Sequence, residues 1–97
     1  RGPYFDGTNF ASWKHKMKMH ILGHNPAVWA IVCVGLQGDF FDGKEPSREA
    51  TADELKMLQY NAQACDILFN GLCPEEFNKI SRLENAKEIW DTLNDMH

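Results

Sequence analysis

Apolar residues recur at spacings of three and four along most of this chain, which is the period of an amphipathic helix. The longest stripe predicts one apolar helix face, formed by Leu55, Leu58, Ala62, Cys65, Phe69 and Leu72. It also fits a short coiled-coil seam. Similar stripes occur at Phe10, Trp13, Met17 and Ile21, and at Ala86, Ile89, Trp90, Leu93 and Met96. Because no two segments alternate as paired strands do, the chain is predicted to be all-α.

Helix start and stop signals divide the chain into separate segments. Asn9 and Asn25 precede apolar segments as N-caps, and Pro26 suits the first helical position because it lacks an amide that would be unpaired there. Thr51 and Glu54 have the spacing of a capping box. The remaining signals are Gly23, Gly35, Asn70-Gly71, Pro74 and Asn85 with Glu88. A small bundle of about five helices is expected.

Two stretches carry turn signals in place of helical spacing. Residues 1–9 contain a proline and Asp6-Gly7, and they are predicted to form an extended lead-in. Residues 35–50 are rich in glycine and charge, and they are predicted to form a long loop. Phe40-Phe41 lies in this loop, so either one ring packs on the core or the pair is an exposed aromatic anchor for a partner.

The composition fits one globular domain over residues 1–97, with 43% apolar and 25% charged residues. Large apolar residues dominate small cores, and the stripes assign structural roles to Trp13, Met17, Trp29, Leu58, Phe69, Phe77, Trp90 and Leu93. The chain opens without Met and stops at His97 within a charged helix, so we interpret it as a fragment. No apolar run approaches the roughly 18 residues of a membrane span.

Charge is distributed unevenly along the chain, whose net charge is −4. Residues 1–30 carry a net charge of +3, whereas residues 31–97 carry −7. The acidic remainder opposes nucleic-acid binding by this segment. We interpret the basic first helix and the acidic remainder as two solvated faces, and head-to-tail contacts between copies are the alternative.

The chain contains histidines and cysteines, which can bind metals or act in catalysis, but the additional residues that such sites require do not accompany them. His20 and His24 share a helix face, but no third ligand accompanies them, so no metal site is predicted. Cys33, Cys65 and Cys73 lack the spacing of a zinc site or a disulfide framework, and we expect reduced, intracellular thiols that pack as small apolar groups. No catalytic residue, cofactor or small-molecule substrate is indicated.

Two blocks of the sequence carry motifs that recur together in one family. The first runs from Phe5 to Met17 and contains a phenylalanine, a glycine, an asparagine before an aromatic, a tryptophan, and then lysine and methionine. The second runs from Ala62 to Leu93 and ends with Ala-Lys-Glu-Ile-Trp-Asp-Thr-Leu, unbroken from Ala86. In this order and spacing the blocks resemble the Gag polyprotein of copia-type LTR retrotransposons. Trp29 lies where that family often has Leu-Trp or Val-Trp.

The resemblance implies a capsid-like helical domain that builds a particle shell through weak, multivalent contacts with other copies of itself. RNA binding in that family usually belongs to a downstream zinc knuckle, so RNA contact is expected only through regions outside this sequence. The alternative is a Gag-derived domain that a host protein has co-opted to bind a protein or peptide, and an enzyme is a distant third. The expected location is intracellular, in the cytoplasm, without membrane contact.

Three features that the core does not need are the candidate interaction surfaces. The lead-in, with Tyr4 and Phe5, is expected to offer unpaired backbone groups to a peptide strand. Lys14 and Lys18 share a basic helix face that can meet acidic residues of another copy. The third feature is the candidate aromatic anchor, formed by Phe40 and Phe41.

Overall fold

The computed structural model describes residues 2–42 and 48–97. Six helices occur in these ranges: α1 (Phe10–His24), α2 (Pro26–Val34), α3 (Asp39–Asp42), α4 (Ala52–Asn70), α5 (Pro74–Ile80) and α6 (Ala86–Met96). The all-α prediction is confirmed. The expected count of about five helices is not confirmed, because α3 is an additional short helix inside the predicted loop.

Side-chain caps mark the start of three of the six described helices. The Asn25 side chain accepts a hydrogen bond from an amide in the first turn of α2 at 2.9 Å, and Thr51 and Glu54 form a reciprocal capping box on α4. The Asn85 side chain accepts from two amides of α6. The predicted Asn9 cap is wrong, because Asn9 adopts a left-handed conformation (φ 58°) and its side chain makes no capping bond. Asparagine adopts this conformation more readily than most residues.

The lead-in before α1 pairs with the connection between α4 and α5. The Phe5 amide donates to the Gly71 carbonyl at 2.7 Å, and the Phe5 carbonyl accepts from the Cys73 amide at 2.9 Å. Gly71 permits this approach, since a Cβ there would lie 2.9 Å from the Pro3 carbonyl oxygen and 2.5 Å from the Met17 side chain. The expectation of unpaired backbone groups is therefore wrong at Phe5.

The core lies between α1, α2, α4 and α6, and α2 contacts the other three. Four of the residues assigned to the core are buried: Trp13, Met17, Trp90 and Leu93. Three others are half-buried and pack against the core: Trp29, Phe69 and Phe77. Leu58 is 38% exposed, so it lies outside the core, contrary to the prediction.

The buried face of α4 differs from the predicted stripe. The buried residues of this helix are Asn61, Ala64, Cys65 and Leu68. Burial of Asn61 is possible because its Nδ2 donates to the Glu84 carbonyl at 2.7 Å and its Oδ1 accepts from the Ala86 amide at 2.9 Å. These bonds hold α4 against the start of α6 with Asn61 inward. As a result Leu55, which is 57% exposed, and Leu58 face solvent.

Candidate functional site

Five aromatic side chains from distant parts of the chain form one cluster. The centre of the Trp13 ring lies 5.4 Å from that of Phe5 and 5.9 Å from that of Trp90. Phe10 packs edge-on against Phe5 at 5.4 Å, and Trp29 packs edge-on against Trp90 at 5.3 Å. Aromatic pairs of this kind contribute about 0.5–1.5 kcal/mol each beyond the area they bury. The cluster therefore joins the lead-in, α1, α2 and α6.

A groove with a volume of about 430 Å³ opens where this cluster reaches the surface. We call it the Trp29–Trp90 groove, and its lining consists of Ala11, Lys14, His15, Lys18, Trp29 and Trp90. The Lys18 Nζ lies 5.9 Å from the centre of the Trp29 ring, within the range of a cation–π contact. The groove thus combines an aromatic floor with a basic wall.

Helical spacing explains the basic wall of the groove. Residues three or four apart on a helix lie on one face, which brings Ala11, Lys14 and Lys18 of α1 together. Lys16 lies two residues from each of these lysines and instead lines a separate hollow beside Asp6. The sequence spacing of Lys14 and Lys18 therefore predicts their shared position, and both side chains are exposed there.

A second surface lies on α4 and on the connection between α5 and α6. Two adjoining hollows of about 410 Å³ each share Leu58, Asn61, Leu83 and Glu84, and we call their combined area the Leu58–Leu83 surface. Its other lining residues are Leu36, Ala62, Cys65, Asp66, Phe69, Arg82, Asn85 and Glu88. Three carboxylates and one guanidinium give this mainly apolar surface an acidic rim.

Glu76 is a carboxylate with 4% exposure where α5, the end of α6 and the lead-in meet. Its two oxygens accept hydrogen bonds from His97 Nε2 at 2.7 Å and from Lys79 Nζ at 3.0 Å. Burial alone would raise the pKa of Glu76, but these hydrogen bonds outweigh it and hold the pKa below its ordinary value. The His97 ring also stacks on Phe10 at 5.0 Å and meets Phe5 edge-on at 4.9 Å, so it links the end of α6 to the lead-in.

The two lead-in candidates have opposite environments. Tyr4 is 57% exposed, whereas Phe5 is 1% exposed. The expectation of an exposed Phe5 is therefore corrected, because its ring completes the aromatic cluster and its backbone pairs with the connection after α4. Only Tyr4 of this pair remains available to a partner.

Phe40 and Phe41 lie on α3, and both are half-buried. Their rings meet edge-on at 5.2 Å, and the Arg48 guanidinium lies 5.1 Å from the centre of the Phe40 ring. Arg48 also donates to the Glu54 carboxylate at 2.7 Å, which lowers the pKa of Glu54 to about 2. The phenylalanines thus contact each other and Arg48 and lie outside the main core cluster. Residues 43–47 of the predicted loop lie outside the described residues.

The three cysteines are free thiols, and they differ in access to solvent. Cys33 is exposed, whereas Cys65 and Cys73 are buried. Burial, and secondly the nearby Glu84 carboxylate, raises the pKa of the Cys65 thiol to about 11, which keeps this thiol protonated at neutral pH. In residues 2–42 and 48–97, no group of three or more His, Cys, Asp or Glu side chains is placed to hold a metal ion.

No helix in the described part of the chain has both the length and the apolar character needed to cross a membrane. Comparisons of the chain with models of protein families, with curated proteins and with solved structures find no match. Sequence reasoning missed the Leu58–Leu83 surface, and it assigned Trp29 and Trp90 to the core alone. The available signal was the apolar spacing of α4, which predicts a stripe but not which way that stripe faces.

Proposed function

We propose that this chain is a structural domain of a copia-type Gag protein, which associates weakly with other copies of itself to form a capsid-like shell. The observation that carries the proposal is that the two sequence blocks behind the resemblance meet in space. Phe5 and Trp13 of the first block pack with Trp90 of the second, and Trp29 joins them. The blocks therefore describe one shared core, as expected when sequence motifs recur because a fold requires them.

The surface chemistry supports association between copies. One surface is aromatic and basic, and another is apolar with an acidic rim. A single contact through hollows of about 410–430 Å³ is weak by itself, and a shell needs many such contacts acting together. In this proposal the domain acts in the cytoplasm without a catalytic role, and RNA is bound by regions outside this sequence.

Sedimentation velocity from micromolar to near-millimolar concentration tests the proposal. We expect a monomer in dilute solution and a reversible rise in the weight-average sedimentation coefficient as concentration increases. Electron microscopy of the concentrated sample should show regular assemblies in place of amorphous aggregate. A monomer over the whole concentration range would contradict the proposal, and so would a tight dimer whose mass does not change with dilution.

The second candidate is a Gag-derived module that binds a protein or peptide. The observation that favours it is the half-buried Trp29 in a groove with a basic wall, which suits an apolar side chain next to a carboxylate. Titration of the chain with a short Leu/Glu peptide, followed by tryptophan fluorescence, tests this candidate. A saturable change that a Leu/Lys peptide of the same length does not produce would support it.

A further inference from the structure

We infer that the Trp29–Trp90 groove of one copy receives the Leu58–Leu83 surface of the next copy, in a head-to-tail contact. This inference rests on the proposed function, because it names the surfaces through which the copies associate. It commits to a second copy of this chain as the occupant of the groove. The inference is based on the charge complementarity of the two surfaces and on the directions in which they face.

The net charges of the two surfaces are opposite, and the side chains that carry them form no ion pair in the part of the chain that the structure describes. Lys14 and Lys18 form no ion pair within residues 2–42 and 48–97, and the same holds for Glu84 and Glu88. The groove therefore presents positive charge next to its tryptophans. The Leu58–Leu83 surface presents three carboxylates against the single guanidinium of Arg82, so its net charge is negative. Complementary charges across a contact fix its register and exclude like-charged pairings.

The positions of Trp90 and Glu88 on α6 prevent the two surfaces from meeting within one molecule. Trp90 lines the groove and Glu88 lines the Leu58–Leu83 surface. Residues two positions apart in sequence are separated by about 200° around the axis of an α-helix. The side chains of Glu88 and Trp90 therefore leave α6 in nearly opposite directions. The groove and the acidic surface thus belong to different sides of the domain, and they can meet only between copies.

A contact between two different surfaces is heterologous, and it leaves one groove and one acidic surface free at the ends of every open oligomer. Such a contact closes into a ring when the rotation between copies divides a full turn, and otherwise it extends into a filament. Two-fold pairing of like surfaces would instead bring two acidic rims together, or the lysines of two α1 helices together. Head-to-tail addition is the arrangement that places Trp29 against Leu58 and lysine against glutamate.

Reciprocal charge reversal tests this contact. The variant K14E/K18E makes the groove acidic, and the variant E84K/E88K makes the Leu58–Leu83 surface basic. Each variant alone then has two surfaces of like sign, and we expect its self-association in sedimentation velocity to weaken by about tenfold. In an equimolar mixture every groove finds a complementary surface on the other variant. The mixture should therefore associate about as strongly as the unmodified chain, through alternating copies.

Matched controls change the same number of charges elsewhere. K16E/K56E and E49K/D95K alter exposed residues outside both surfaces, and they should associate like the unmodified chain. Circular dichroism and the thermal midpoint establish that each variant is folded. If a reversal variant does not fold, the milder pair K14Q/K18Q and E84Q/E88Q replaces it. Each of these should associate more weakly alone. Their mixture should recover one contact, between the basic groove of E84Q/E88Q and the acidic surface of K14Q/K18Q, so association should stop at dimers.

Each outcome bears on a different claim. Weakening by both reversals, with rescue on mixing, supports the head-to-tail contact. Association that survives either reversal, or failure of the mixture to recover, overturns this contact and leaves the proposed assembly function standing. The complete absence of self-association in the unmodified chain at near-millimolar concentration overturns both.

Discussion

Replacement of Trp90 by alanine tests whether the aromatic cluster is the main source of stability. Trp90 is 9% exposed and contacts the rings of Trp13 and Trp29. A buried tryptophan removes about 150–250 Å² from water, which at about 25 cal/mol per Å² corresponds to about 4–6 kcal/mol. Residual compactness of the unfolded chain reduces this figure by about 10–40%. The expected loss is therefore about 3–5 kcal/mol, which agrees with measured truncations of large core aromatics.

Urea denaturation followed by far-ultraviolet circular dichroism is the appropriate assay, because the substitution itself removes a fluorophore. A domain of this size has a free energy of unfolding of about 5–15 kcal/mol, so the variant should remain folded enough to measure at low temperature. Tyr4→Ala is the matched control, since it truncates an aromatic residue that is 57% exposed. The control should lose less than about 1 kcal/mol. A loss of similar size for Trp90→Ala would refute the reasoning.

Three further predictions concern buried polar groups and thiols. The pKa of Glu76 is lowered on folding, so its contribution to stability is present above its ordinary value of 4.5 and is lost as pH falls further. Glu76→Gln should therefore flatten the acid branch of stability, as followed by urea midpoints at successive pH values. Asn61→Ala should cost about 1–3 kcal/mol in urea denaturation, because the Ala86 amide loses its acceptor. At neutral pH a maleimide should label Cys33 rapidly, while buried Cys65 reacts only after unfolding.

Each of these predictions has a clear contrary result. Acid titrations of Glu76→Gln that run parallel to those of the unmodified chain would show that the carboxylate gains nothing from its hydrogen bonds. Exposed Gln59 is the control for Asn61, and equal losses for Gln59→Ala and Asn61→Ala would refute a special role for Asn61. For the thiols, Cys33→Ser should abolish the rapid labelling in mass spectrometry. Rapid labelling that persists in this variant would contradict the burial of the other two.

The sequence predicts those parts of the fold that depend on neighbouring residues. The Asn25 cap and the Thr51–Glu54 capping box involve side chains and amides within one helical turn, and the local sequence predicts both correctly. The same signal fails at Asn9, whose left-handed backbone the sequence does not indicate. The spacing of Lys14 and Lys18 likewise predicts one wall of the groove. The aromatic floor of the groove could not be predicted in this way, because Trp29 and Trp90 come from helices that meet only in the folded chain.

The orientation of α4 shows why the buried face of a helix could not be predicted from its apolar spacing alone. Its apolar spacing predicts Leu58 in the core and leaves Asn61 on the border of the stripe. The folded chain reverses their places because Asn61 finds an acceptor and a donor near the start of α6, 23 and 25 residues away respectively. A partner this distant leaves no trace in helical periodicity. Helix α3 was missed for another reason, since four residues are too few to show a period.

The aromatic cluster has a consequence for how the protein is made. Phe5 and Trp13 leave the ribosome long before Trp90, which packs against Trp13 but lies near the far end of the domain. At synthesis rates of about 5–20 residues per second, the delay is on the order of ten seconds. Throughout that interval α1 can pack on α2, which follows it directly, but the rings of Trp13 and Trp29 lack their contacts with Trp90. The aromatic cluster is therefore completed only after most of the domain has been synthesised.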